Sequence, residues 1–171
     1  SEHYEAPGLL IGHSLGGAAV LAAAPELTSV RAVVTIGAPS EPTHVEALLT
    51  DGLDELEANG EATVDVGGRP FRVKAQLLHD LRSRTIDECL AGLDAALLVM
   101  HSPVDNTVGV ENAAAIYQAA RHPKSFISLD GADHLLSDRR DSTFAASMIR
   151  AWVERYLEPE TIEEPLEAEG V

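Results

Sequence analysis

The chain is poor in several things, and each shortage removes a class of function. It has a single cysteine, Cys89, in 171 residues. That excludes an intramolecular disulfide and any paired-cysteine redox or zinc chemistry, and it points to a reducing compartment, the cytoplasm. Cys89 falls in the helical-looking stretch Ile86-Asp87-Glu88-Cys89-Leu90, where a thiol reads as buried packing. Basic residues are scarce: 12 Lys and Arg stand against 28 Asp and Glu, a formal net charge of −16. A chain so acidic is a poor partner for nucleic acid or an anionic membrane surface. No apolar run approaches the ~18–20 residues that cross a bilayer. No H-x-x-x-H or H-E-x-x-H spacing suggests a metal, and no Gly-rich loop carries a phosphate-binding Lys, so neither metal nor cofactor is expected. Aromatics are only 4% of the chain, which leaves substrate identity without a signature.

What is present centres on Gly12-His13-Ser14-Leu15-Gly16, a G-x-S-x-G pattern. The apolar run Gly8-Leu9-Leu10-Ile11 reads as a buried strand leading in, and the Ala-rich stretch Gly17 to Ala24 as a helix leading out. A serine at such a sharp strand-to-helix turn is strained, with its hydroxyl pushed outward. Flanking glycines are expected because a side chain would clash with the neighbouring strand and helix. The helix also aims its first N–H groups at a developing oxyanion. The alternative is a plain glycine-rich turn in which Ser14 caps the helix.

The rest of the chain reads as strand–helix–strand. Leu9–Ile11, Val30–Ile36, Ala95–His101 and Ser125–Leu129 are core strands, expected to lie parallel in sequential order with helices on both faces. Helices are expected at Leu15–Ala24, Val110–Ala120 and Arg140–Leu157, the last with Phe144, Met148 and Trp152 as its packing stripe. Residues from about 42 to 92 differ in character. Short helices read over His44–Leu49, Leu53–Ala58, Gln76–Ser83 and Ile86–Leu93. Thr63–Val66 and Phe71–Lys74 alternate around Gly67-Gly68-Arg69-Pro70, a hairpin signal. An antiparallel hairpin inside a parallel α/β chain suggests an inserted cap over the site. Glu158 to Val171 carries six Glu and no Lys or Arg and reads as an acidic linker or tail. Residues 1–157 thus read as one α/β domain.

A serine hydroxyl is a weak nucleophile near neutral pH. It needs an imidazole to take its proton and a carboxylate to orient that imidazole. Asp105 follows the third strand in His101-Ser102-Pro103-Val104-Asp105, and His134 follows the fourth in Asp130-Gly131-Ala132-Asp133-His134. Both sit past the C-terminal ends of parallel strands, in the order Ser, acid, His. Asp130 and Asp133 are alternative acids, but they share a short loop with His134, and Asp133 reads as loop-shaping. His13 reads as packing or bonding beneath the turn, and His101 as orienting the acid loop. The remaining histidines, His3, His44, His79 and His122, default to the surface.

With these motifs the chain resembles the α/β-hydrolase fold family over nearly everything up to Leu157. GHSLGG, HSPVDNTVG and DGADHLL are similar to the hydrolase half of bacterial two-domain proteins that join an α/β-hydrolase to an OsmC-like domain. The resemblance implies a serine-hydrolase scaffold with Ser14 as nucleophile, Asp105 as acid, His134 as base and the Leu15 N–H as one oxyanion donor. It also implies a small-molecule acyl substrate and an OsmC-like domain after the acidic segment, without the peroxidase chemistry that needs a cysteine pair. Family members carry about four strands before the elbow, and the loop after the third supplies the second oxyanion donor. The chain therefore reads as N-terminally truncated, with half an oxyanion hole and an exposed first strand that favours association between copies. The activity implied is hydrolysis of an ester, thioester or amide. A serine peptidase on the same scaffold and a non-catalytic binding or docking domain are the alternatives.

Overall fold

The computed structural model describes residues 5–41, 52–66, 69–76, 79 and 85–157. The expected helix over 44–49, most of the stretch 76–83 and the acidic segment 158–171 lie outside them.

Four strands make the central sheet: β1 (Leu9–His13), β2 (Ala32–Ile36), β5 (Ala96–His101) and β6 (Lys124–Ser128). All are parallel, in the order β1-β2-β5-β6, as the sequence reading expects. Among the described residues β1 and β6 are the outer strands. The pleat explains the two layers of core. Register partners point to the same side of a sheet, and successive residues to opposite sides. Val33 and Leu97 are partners, and both face α1 (Leu15–Ala23), α3 (Ile86–Ala91) and α4 (Glu111–Ala119) through Leu21, Leu90 and Ile116. Val34 and Leu98, one step along, face α5 (Arg139–Leu157) through Ala145 and Ile149. The strands β2 and β5 are covered on both sides, which is why they are continuous apolar runs.

One expected packing stripe is corrected. Met148 and Trp152 do pack on the sheet, but Phe144 is 46% exposed, and Ala145, Ile149 and Val153 form the buried line of α5. Phe144, Met148 and Trp152 each lie one residue, about 100° of rotation, before that line, so they flank the packed face rather than form its centre. Trp152 is also fixed by its indole N–H, which donates to Ser125 Oγ at 3.0 Å.

Between β2 and β5 lies a separate piece: α2 (Leu53–Asn59) and an antiparallel hairpin of β3 (Glu61–Val66) and β4 (Arg69–Lys74). It has its own apolar cluster of Leu56, Ala62, Val64 and Val73, which meets the rest of the fold at Ala18 and Leu15 of α1. Thus α1, the helix that leaves Ser14, carries this piece on its flank.

Candidate active site

Ser14, Asp105 and His134 each sit just past the C-terminal end of a parallel strand, and Leu15 is the first residue of α1. Ser14 joins β1 to α1 with φ 53° and ψ −126°, a conformation that costs a non-glycine residue about 1–3 kcal/mol. Its amide donates to the Ile36 carbonyl at 2.8 Å, which ties the turn to the end of β2. Its side chain caps no amide of α1, so the capping alternative does not describe it. The turn depends on Gly12: a Cβ there would fall on the Gly16 carbonyl and the Gly17 Cα. Gly17 is equally constrained, against Ala38. Gly16 is not, since a Cβ at that position meets nothing within 4 Å. The expected steric need at the motif's flanking glycines therefore holds for Gly12 and fails for Gly16.

The loop after β5 brings in Asp105. Its Oδ1 accepts the amides of Thr107 and Val108 at 2.8 and 2.9 Å, and its Oδ2 lies 2.7 Å from His134 Nδ1. Burial by itself pushes the carboxyl upward. The His134 hydrogen bond and the two amides outweigh it and hold Asp105 below its ordinary value. His101, fully buried at the end of β5, donates from Nε2 to the Val108 carbonyl at 2.8 Å, closing the same loop 3.7 Å from Asp105 Oδ2.

The loop after β6 delivers His134. With Nδ1–H directed to Asp105, Nε2 is the acceptor, and Ser14 Oγ lies 3.0 Å from it. The three residues are joined in one chain of hydrogen bonds, and all are buried. Asp133 is exposed and accepts the Ser137 amide at 2.8 Å, which shapes the loop and holds its carboxyl low. Asp130 accepts from Ser128 Oγ. The imidazole is bonded to Asp105 rather than to either alternative acid. His13 donates from Nε2 to the His134 carbonyl at 2.6 Å, with the two rings 4.9 Å apart. Both His79 and His122 are exposed, while His3 and His44 lie outside the described residues. The thiol of Cys89 is buried on α3.

Two parts of the site escaped the sequence reading. Gly37, at φ +56°, lies beneath the Asp105–His134 bond, and a Cβ there would stand 3.4 Å from both Asp105 Oδ2 and His134 Nδ1. A glycine directly after a core strand was the available signal. The other part is a cavity of about 480 Å³ beside Ser14, walled by Leu15, Ala19, Leu135 and the β4 segment Phe71–Lys74. A second hollow of about 420 Å³ lies between the acid and histidine loops and is lined by His134 but not by Ser14. Among the described residues, no cluster of three or more His, Cys, Asp or Glu side chains could hold a metal ion, and no helix is long and apolar enough to cross a membrane.

Similarity to solved structures decides the fold. An esterase domain from a Rhodothermus marinus protein is 54% identical, with a TM-score of 0.85 over 92% of this chain and 65% of its own. This is a partial α/β-hydrolase fold. Mouse alpha/beta hydrolase domain-containing protein 10 aligns with TM-score 0.63 at 21% identity, covering 91% of this chain and 65% of the mouse structure. Est1E from Butyrivibrio proteoclasticus aligns with TM-score 0.61 at 18% identity, covering 86% of this chain and 61% of that structure. The last two speak for the α/β-hydrolase fold alone. The chain spans just under two thirds of the length of each of the three. No protein-family model and no curated protein matches it.

Proposed function

We propose that this chain is the nucleophile-bearing part of a serine hydrolase acting on esters of small carboxylic acids. The observation that carries the reading is the continuous path Ser14 Oγ–His134 Nε2 and His134 Nδ1–Asp105 Oδ2, at 3.0 and 2.7 Å. Ser14 Oγ attacks the substrate carbonyl carbon while His134 Nε2 takes its proton. Asp105 stabilises the resulting imidazolium and keeps Nδ1 protonated. The oxyanion faces the Leu15 N–H at the start of α1. Collapse breaks the acyl–oxygen bond, and His134 returns the proton to the leaving alcohol. Water then attacks the acyl-Ser14 ester by the same exchange of protons, releasing the acid and restoring Ser14.

Similarity to the Rhodothermus marinus esterase domain favours esters over peptides. Three further parts belong to the proposal: the hairpin between parallel strands supports a cap over about 42–92, the single cysteine supports the cytoplasm as the setting, and the sequence resemblance supports 158–171 as a linker to an OsmC-like domain. A fluorophosphonate probe tests the central claim. It should label the chain at Ser14, and Ser14→Ala should abolish both labelling and hydrolysis of a p-nitrophenyl ester. His134→Ala should cost about as much as Ser14→Ala, because triad members act as a unit. Labelling that survives Ser14→Ala overturns the assignment.

A further inference from the structure

The cavity beside Ser14 and the hollow beside His134 serve different halves of an ester. The leaving group takes its proton from His134, so it departs on the side of the 420 Å³ hollow, which His134 lines and Ser14 does not. The acyl group is left for the 480 Å³ cavity, which Ser14 and Leu15 line and His134 does not. Leu15, Ala19, Phe71, Val73 and Leu135 make its walls apolar.

Its far side is the edge of β4. The Ala75 amide donates to the Gly60 carbonyl at 2.9 Å, which fixes the phase of the hairpin ladder. By the two-residue alternation, Val73 and Phe71 bond toward β3, and the main-chain groups of Arg72 and Lys74 point the other way. Pro70, which has no N–H, also falls in the outward set. Among the described residues no strand pairs with that edge. An edge facing the cavity is also why four successive residues, Phe71 to Lys74, all line it, although their side chains alternate between faces.

The charge there runs against the whole. In a chain of net charge −16, the Lys and Arg residues that line this cavity among the described residues are Arg72 and Lys74, and no Asp or Glu lines it. Glu61, across the hairpin, engages Arg72 through both Nε, at 3.1 Å, and Nη2. Lys74 is exposed, opposite Glu61 in the ladder.

We propose that the acyl pocket accepts an apolar chain ending in an anionic group, as in a half-ester of a dicarboxylic acid, with Lys74 and the outward edge amides of β4 as its specificity determinants. Apolar walls take the methylene chain, and the anion is met at the far end by the ammonium group and by N–H donors. The proposal rests on the serine-hydrolase reading for the direction of the acyl group.

The test compares monoethyl adipate with ethyl hexanoate, two esters with the same alcohol and matched chain length. At low ionic strength the ratio of their kcat/KM values should favour the half-ester about fivefold, the scale of one partly exposed charge pair. In about 1 M salt, where the screening length is ~3 Å, the ratio should fall toward one. Lys74→Glu should invert it, acting through KM. Glu61→Gln, which removes the carboxylate that engages Arg72, should raise it. A low-salt ratio at or below one, or a ratio unmoved by Lys74→Glu, overturns the proposal. Calorimetry on Ser14→Ala protein separates this failure from failure of the hydrolase reading, because it reports binding without turnover. Tighter binding of the half-ester that is lost on adding Lys74→Glu supports the proposal. Equal binding of the two esters overturns it, whatever the fate of Ser14 labelling.

Discussion

The imidazole of His13 donates to the main-chain carbonyl of His134 across 2.6 Å. The residue immediately before the nucleophile therefore holds the loop that carries the base, and the Ser14–His134 distance is set from both ends. With Ser14 and His134 as nucleophile and base, His13→Ala should lower kcat about ten- to hundredfold, the penalty for a displacement near 1 Å. A glutamine at this position keeps a side-chain N–H donor, so His13→Gln should recover much of the loss. Equal losses in the two variants would show that ring packing, not the hydrogen bond, is what matters. Steady-state esterase kinetics on the three proteins checks it.

Two glycines of the elbow should respond oppositely to alanine. Gly12→Ala drives a Cβ into backbone atoms of Gly16 and Gly17, which no side-chain rotation relieves. A loss of at least about 3 kcal/mol is expected, at the severe end of overpacking. Gly16→Ala enters open space at the start of α1 and should be neutral or stabilising by up to about 1 kcal/mol. Urea melts of the two variants read the contrast directly.

Gly37→Ala should separate stability from reactivity. Its φ of +56° costs an L-residue about 1–2 kcal/mol. The new Cβ meets Asp105 and His134 at 3.4 Å, an ordinary contact that leaves their hydrogen bond in place. The melting temperature should fall by roughly 2–8 °C while fluorophosphonate labelling persists. Loss of labelling at unchanged melting temperature would contradict this.

Acid should erase the contribution of Asp105. Its carboxyl is held below the ordinary 3.8 in the folded chain, so the unfolded chain binds the proton more readily. The stabilisation is therefore complete well above the unfolded value and is lost as pH falls through the lower folded value. The gap in melting temperature between wild type and Asp105→Asn should stay constant from neutral pH to about 5 and close below about pH 4. A gap that widens on acidification would mean the carboxyl is held protonated.

The sheet and the Ser, Asp, His order were legible because both are written locally. Ala32–Ile36 and Ala96–His101 are nearly unbroken apolar runs, and Asp105 and His134 follow their strands within a few residues. Strand ends were less legible. Val30 donates to the Leu27 carbonyl in a turn, so its β-branched side chain does not make it part of β2. Gly37 and the β4 wall could not be read at all, because their importance is through space. Gly37 matters for what lies 3.4 Å from it, contributed by residues 105 and 134. Phe144 shows the reverse error, a local spacing that looked like a core stripe until the helix's rotation was fixed by the sheet beneath it.

The hairpin and α2 bury their apolar residues chiefly among themselves and touch the sheet layer's helices through Leu15 and Ala18. Ser14, Asp105 and His134 are instead held by the ends of β1, β5 and β6. One part of the molecule thus shapes the space beside the serine, and another fixes the geometry of the serine itself. Substitutions can accumulate in the first without disturbing the second, so lineages that share this frame are free to diverge in what they admit while keeping the same constellation of three side chains.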